Sequence, residues 1–158
     1  MLDLAATLNS TLVDRFTAHA ARIRELAAFF SESQFWQKAF PFGNSFGHLV
    51  LHLTGNLNYY IGAKIANTGY VRDRPREFTD ANPPLKEEAL KRFDAAVAQV
   101  VETIRSQSVD DWSKPYSATG MDASNRLAIV LVCESHMQLH IGQMIYLRYQ
   151  TGLSSSAK

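Results

Sequence analysis

The sequence has 158 residues, of which 46% are hydrophobic, so it fits one globular domain that can bury roughly two thirds of its unfolded surface. Its 16 basic and 15 acidic side chains give a net charge of +1. This balance argues against an electrostatic grip on DNA, RNA or an anionic membrane, so we expect neither nucleic acid nor a membrane as a partner.

The chain contains a single cysteine, Cys133, which excludes an internal disulfide. Its first residues lack the basic and apolar regions of a signal peptide, and no apolar run reaches the roughly 18 residues of a membrane span. We therefore expect a cytoplasmic protein.

Four long segments carry apolar residues at intervals of three and four positions, which is typical of amphipathic helices. They cover residues 2–30, 44–69, 84–104 and 121–150. No segment of strand length alternates between apolar and polar residues. We predict an all-α four-helix bundle, formed by a single domain over residues 1–152 and followed by a frayed polar tail over residues 153–158.

The connection between the second and third helices, residues 70–84, is long enough to cross the whole bundle. Its 15 residues can stretch about 50 Å at roughly 3.3 Å each, whereas the preceding helix is about 35–40 Å long. Arg72, Arg74 and Arg76 alternate there with Asp73 and Glu77, and we interpret this charged stretch as a solvated loop.

Two histidines of the fourth helix, His136 and His140, are four residues apart and leave the helix from one face. Such a pair can bind a metal ion, but a catalytic metal site usually has a third protein ligand and an open position. The candidates for the third ligand are the three other histidines of the chain, His19, His48 and His52. Without such a ligand, the pair could equally be a hydrogen-bonded structural pair.

The second helix carries a polar row, His48, His52, Asn56 and Tyr60, where a bundle interior would otherwise have leucine. The row indicates the wall of a water-filled pocket. His19 lies beside the apolar stripe of the first helix, which we interpret as scaffold. The residues thus point to a site with two histidines from the fourth helix and one from the second.

Other metal and nucleophile sites fit the sequence poorly. A carboxylate-bridged di-iron bundle needs Glu-x-x-His motifs, and a zinc protease of the common type needs His-Glu-x-x-His; the chain contains neither. Cys133 lies three residues before His136, but we interpret it as a buried cysteine without a catalytic role.

Three stretches of the sequence, residues 44–57, 72–78 and 136–143, resemble the DinB-like superfamily of bacterial metal-binding four-helix bundles. The similarity extends over nearly the whole chain. The resemblance implies an up-down-down-up bundle, in which the second and third helices run parallel and are joined by the long crossover.

The resemblance also implies one divalent transition metal ion, such as zinc, nickel, iron or manganese. In the family, the ligand of the second helix stands just before a Leu-x-Gly step, and this selects His52, which precedes Leu53-Thr54-Gly55. The implied metal ligands are therefore His52, His136 and His140. The candidate pocket residues beside them are His48, Asn56, Tyr60 and Gln143.

Some members of the family transfer low-molecular-weight thiols or act on thiol adducts, and homodimers are frequent among them. Three neutral imidazoles leave a metal ion its full charge, so that a bound water or thiol loses its proton more easily. We therefore expect a homodimeric, metal-dependent thiol transferase or hydrolase that acts on a small molecule, a thiol or a thiol adduct. The alternative is a non-catalytic metal-binding or dimeric interaction protein with a structural or vestigial site.

Overall fold

The computed structural model describes residues 3–150, and over this range the protein is all-α, as predicted. The only extended pairing between described residues is an isolated bridge between Pro115 and Asn125. The helices are α1 (Leu4–Ala27), α2 (Glu32–Trp36), α3 (Phe46–Leu57), α4 (Arg76–Thr79), α5 (Lys86–Arg105), α6 (Val109–Ser113) and α7 (Arg126–Gln150), and a π-helical turn (Asn58–Ala63) continues α3. The predicted tail over residues 153–158 lies outside the described residues.

Four long helices, α1, α3 with its π-helical turn, α5 and α7, form the body of the fold. α1 packs against α5 and α7, and α3 packs against the same two helices. The interior is filled by large apolar side chains that are inaccessible to solvent, among them Phe16, Phe35, Phe46, Phe93 and Leu53. No helix of residues 3–150 is long and apolar enough to cross a membrane.

Contacts near the helix ends show that α1 runs antiparallel to α5 and parallel to α7. The Asn9 amide donates to the carbonyl of Gln107, just after α5, while Arg24 at the other end of α1 pairs with Glu87 in the first turn of α5. At the end of α7, the Arg148 guanidinium lies over the ring of Phe29, which follows α1.

α3 runs antiparallel to α7. Leu49, in the first turns of α3, lines the same groove as Gln143 and Leu147 near the end of α7. Tyr60, beyond the end of α3, donates to the carbonyl of Thr119, which precedes α7. By these contacts, α1 and α7 run in one direction and α3 and α5 in the other.

The second predicted helix differs most from its prediction. Regular α-helix ends at Leu57 and not near Gly69, because the chain widens into the π-helical turn and then leaves the helix. Asn67 and Gly69 adopt left-handed backbone angles, with φ of 54° and 76°. Gly69 thus has the expected conformation, but after the helix has ended.

Two short helices, α2 and α6, lie in segments predicted only as connections. Each begins with a capping box. The hydroxyl oxygen of Ser31 or Ser108 accepts from the backbone N–H of the residue three positions later, Gln34 or Asp111. The side chain of that residue in turn accepts from the backbone N–H of the serine. α7 begins later than predicted, since the Asn125 side chain accepts from the N–H of Ala128 and thereby caps the helix at Arg126.

Candidate metal centre

Three histidines from two antiparallel helices converge inside the bundle. His52 lies on α3, and His136 and His140 lie one turn apart on α7. The Nε2 atom of His136 is 2.9 Å from that of His52 and 3.1 Å from that of His140. His52 and His140 are buried, and His136 is partly exposed. The structure thus brings together the three predicted ligands.

The Nδ1 atoms of two of these rings are held by oxygen acceptors. His52 Nδ1 lies 2.8 Å from Oε2 of Glu77, and His140 Nδ1 lies 2.7 Å from Oε1 of Gln143. An oxygen acceptor requires a proton on each Nδ1, so in the neutral rings that bind a metal the Nε2 atoms of His52 and His140 carry lone pairs.

Both lone pairs face the Nε2 atom of His136, which as a neutral ring carries at most one proton there. At least one of the two short N···N contacts therefore brings two lone pairs together unless a cation lies between them. For comparison, bonds of about 2.0–2.1 Å at a tetrahedral ion separate two nitrogen ligands by roughly 3.3 Å. The donor set and its spacing fit a divalent transition metal ion.

Glu77 is a buried carboxylate that reaches the triad from the crossover segment. Arg72 donates to both of its oxygens, from Nε at 2.7 Å and from Nη2 at 2.9 Å, and the Arg72 side chain is itself buried. Burial alone would raise the pKa of Glu77, but the hydrogen bonds from His52 and Arg72 outweigh it and lower the pKa below its usual value. Glu77 is therefore ionised and accepts the Nδ1 proton of His52.

Gly55 makes room for this carboxylate. A Cβ atom at position 55 would overlap Oε1 of Glu77 and lie 3.3 Å from Nε of Arg72. Gly55 is one helical turn from His52, so both residues face the crossover segment. The Leu-x-Gly step after His52 thus has a physical explanation, because the glycine lets Glu77 approach the imidazole.

The interpretation of residues 72–77 as a solvated loop was wrong for Arg72 and Glu77. Their burial depends on a contact with His52, which lies 25 residues from Glu77 in the sequence. The neighbouring Phe78 packs its ring 5.0 Å from the His52 ring. In the sequence, the aromatic Phe78 directly after Glu77 in a charged segment was the local signal that this segment packs on the bundle.

The pKa of His136 is lowered to about 4, chiefly by burial and further by the neighbouring His140, His52 and arginine side chains. Burial also lowers the pKa of His140, although its bond to Gln143 acts in the opposite direction. These two imidazoles are therefore neutral at pH 7, as metal coordination requires.

Two of the four candidate pocket residues line a cavity beside the triad. Asn56 and Tyr60 share its wall with His52 and His136. Gln143 does not line this cavity. It bonds to Nδ1 of His140 and can therefore hold the His140 ring in the orientation that metal binding needs.

His48 lies apart from the triad, at the start of α3. Its Nδ1 is 2.9 Å from Oγ of Ser45 in a capping box, and its ring stands edge-on to Trp36. His19 on α1 lies 2.7 Å from Oε1 of Glu134. Cys133 is fully buried, which raises the pKa of its thiol to about 12 and leaves it protonated at neutral pH.

An all-α bundle with three histidines converging between two antiparallel helices defines a class of candidate metal-binding proteins. The family model of the DinB superfamily matches residues 15–144 of the chain. The chain belongs to the DinB superfamily.

Solved structures agree with this fold. A conserved protein from Enterococcus faecalis superposes with a TM-score of 0.72 at 18% identity, covering 95% of this chain and 98% of its own. DinB-like proteins from Bacillus cereus and Bacillus subtilis give TM-scores of 0.68 and 0.65, each at 14% identity, with 93% and 89% of this chain and 95% and 92% of their own covered. No curated protein matches the sequence.

We predict that the metal-free protein loses stability as the pH falls from about 6.5 towards 4. The unfolded imidazoles take up protons near pH 6.5, whereas His136 in the folded chain does so only at about 4. Between these values the unfolded state binds more protons, so acid favours unfolding. Urea unfolding followed by circular dichroism at pH 7.5 and 5, with a chelator present, measures the change.

His136→Gln is the control, because it removes the imidazole whose pKa is lowered to about 4 and should reduce the pH dependence. The carboxylates Glu77 and Glu134, whose pKa values are lowered, lose their contribution only below the ordinary carboxyl pKa of about 4.3. Equal stability of the unaltered chain at both pH values would contradict the prediction.

Proposed function

We propose that this protein is a metal-dependent enzyme in which His52, His136 and His140 bind one divalent transition metal ion. The observation that supports this proposal most is the convergence of three Nε2 atoms: that of His136 lies 2.9 Å from His52 Nε2 and 3.1 Å from His140 Nε2. Among the described residues, no fourth histidine, cysteine or carboxylate joins this group. Such a set leaves a coordination position for water or substrate.

A bound ion of this kind lowers the pKa of a coordinated water or thiol, so that a nucleophile forms near neutral pH. Glu77 and Gln143 hold the rings of His52 and His140 by their Nδ1 protons and keep the Nε2 lone pairs directed at the ion. The partly exposed side of the site, at His136, faces the cavity that Asn56 and Tyr60 line. Substrate enters from this side.

The reaction class that fits this site is thiol transfer or hydrolysis on a small molecule, a thiol or a thiol adduct. Imidazole ligands suit zinc, nickel and iron, and manganese is the least favoured of the candidate metals because it prefers oxygen ligands. Cys133 is not the nucleophile, since its thiol is buried and protonated.

We predict that the purified protein binds about one divalent metal ion per chain. His52→Ala, His136→Ala and His140→Ala should each abolish this stoichiometric binding, because two imidazoles hold a transition metal ion much more weakly than three. Elemental analysis after dialysis against metal-free buffer measures the content, and circular dichroism verifies that each variant remains helical.

His48→Ala is the matched control, because His48 lies on the same helix as His52 but bonds to Ser45. It should retain the metal. Loss of metal in His48→Ala together with retention in His52→Ala would reverse the assignment of the ligand from α3.

We predict that Glu77→Gln lowers metal affinity by about 10- to 100-fold, as is typical when a residue that orients a metal-binding histidine is changed. Glutamine keeps the shape of the side chain but loses the charge that fixes the Nδ1 proton of His52 and pairs with Arg72. Competition titration with a chromophoric chelator measures the affinity.

Glu88→Gln makes the same change of charge on the surface of α5, where Glu88 pairs with Arg92, and should leave metal affinity unchanged. An unaltered affinity in a folded Glu77→Gln variant would contradict the orienting role of Glu77.

A second candidate function is association without catalysis, and the outer face of α7 favours it. Val132, Leu139 and Tyr146 are exposed and lie seven residues apart along one line of the helix. Gly142 lies within the same stretch, and the space where its Cβ would be is open. A stripe of this kind suits the same stripe of a second chain, so we propose that the protein forms a homodimer through α7.

We predict a dimer, at twice the 17.7 kDa of one chain, in equilibrium sedimentation at micromolar concentration. Leu139→Arg should shift the protein to monomers, because it places a charge in the apolar stripe. Leu85→Arg, at an exposed leucine before α5, is the control and should remain dimeric. Only monomers in the unaltered chain would exclude this proposal and leave the metal site unaffected.

A further inference from the structure

A cavity of about 570 Å³ lies beside the histidine triad, and its wall carries more positive than negative charge. Arg72 and Arg74 both contribute to the wall, whereas no aspartate or glutamate lines the cavity. The charge of Arg72 is balanced by Glu77 behind it. The charge of Arg74 remains, and a divalent ion held by neutral imidazoles would add to it.

The Arg74 guanidinium has no acidic partner among the described residues. It lies over the ring of Phe78, whose centre is 5.9 Å from the guanidinium carbon. Its charge acts on two other groups of the cavity wall, since it contributes to the lowered pKa of His136 and opposes the raised pKa of Tyr60. Arg74 is exposed and therefore presents a cation without an acidic partner at the wall of the cavity.

Asn56 is the second unusual group of the cavity wall. It is only 2% exposed, and its side-chain amide makes no hydrogen bond to another described residue; the Oδ1 atom is closed off from solvent. A buried amide without a partner is costly, and native proteins rarely retain one without a reason. The other position of the amide lines the cavity, so a bound molecule can hydrogen-bond there, and a half-turn of the amide offers it either N–H or C=O.

We propose that this cavity binds a small organic carboxylate, with Arg74 pairing with the carboxylate group and Asn56 hydrogen-bonding to a polar atom of the same molecule. The inference rests on the proposed function, because it assigns the substrate class of that site. One unpaired guanidinium matches the single charge of a carboxylate, and its planar edge suits the two carboxylate oxygens. Tyr59, Tyr60 and Met121 offer an apolar wall for the body of the acid.

The test compares two thiols, mercaptopropionate and its uncharged amide, on the protein loaded with cobalt. Calorimetry gives the dissociation constant of each probe. The absorption band of a cobalt–thiolate bond reports separately whether the sulfur reaches the ion. We expect the acid to bind about tenfold more tightly than the amide, the size of effect typical of a hydrogen bond to a charged group.

Arg74→Gln should abolish this preference while the amide binds as before. Arg76→Gln is the matched control, since Arg76 lies two residues further along the same segment, carries the same charge and pairs with Asp80. It should retain the full preference. Asn56→Ala should weaken both probes, because both have a polar end that can bond to the amide.

Equal binding of the acid and the amide would overturn the inference. A preference for the acid that survives in Arg74→Gln would also overturn it, because the carboxylate would then bind the metal ion or another part of the protein surface. A thiolate band with equal binding of acid and amide leaves the proposed function intact. Absence of the band with both probes contradicts the proposed thiol chemistry, whatever the ratio of the two dissociation constants.

Discussion

The site depends on one buried interaction, the hydrogen bond between the Glu77 carboxylate and Nδ1 of His52. It fixes the proton of that ring on Nδ1 and thereby directs the Nε2 lone pair towards His136. A buried carboxylate needs compensation, and Arg72 supplies it through two further hydrogen bonds. The crossover segment connects two parallel helices, and through Glu77 it also determines which nitrogen of His52 carries the proton.

The bundle makes this interaction possible through the directions of its helices. Because α3 packs beside α7, a single residue of α3, His52, meets two residues one turn apart on α7. Because α3 runs parallel to α5, the connection between them must return along the bundle and passes over the turn that contains His52 and Gly55. The long crossover and the site are therefore consequences of the same topology.

The sequence predicted those features that follow from periodicity. Apolar residues at helical spacing predicted the four long helices, and the four-residue interval of His136 and His140 predicted that they share a face. Glu77 was not predicted, because its burial depends on a contact across 25 residues and its neighbours are charged. The early end of α3 was also missed, since the π-helical turn over Asn58–Ala63 keeps the apolar spacing of an ordinary helix.

The polar groups around the triad differ in whether they have a partner, and this difference supports the proposed substrate pocket. Glu77, which is buried, and Gln143 accept from the Nδ1 atoms of His52 and His140. On the cavity side, Arg74 has no counter-charge among the described residues and the Asn56 amide has no partner. A site that served only stability would have no reason to leave the Asn56 amide without a partner, because burial of such an amide is destabilising. A buried polar group and an exposed cation beside a well-ordered set of histidines are instead features that the proposed substrate site can use.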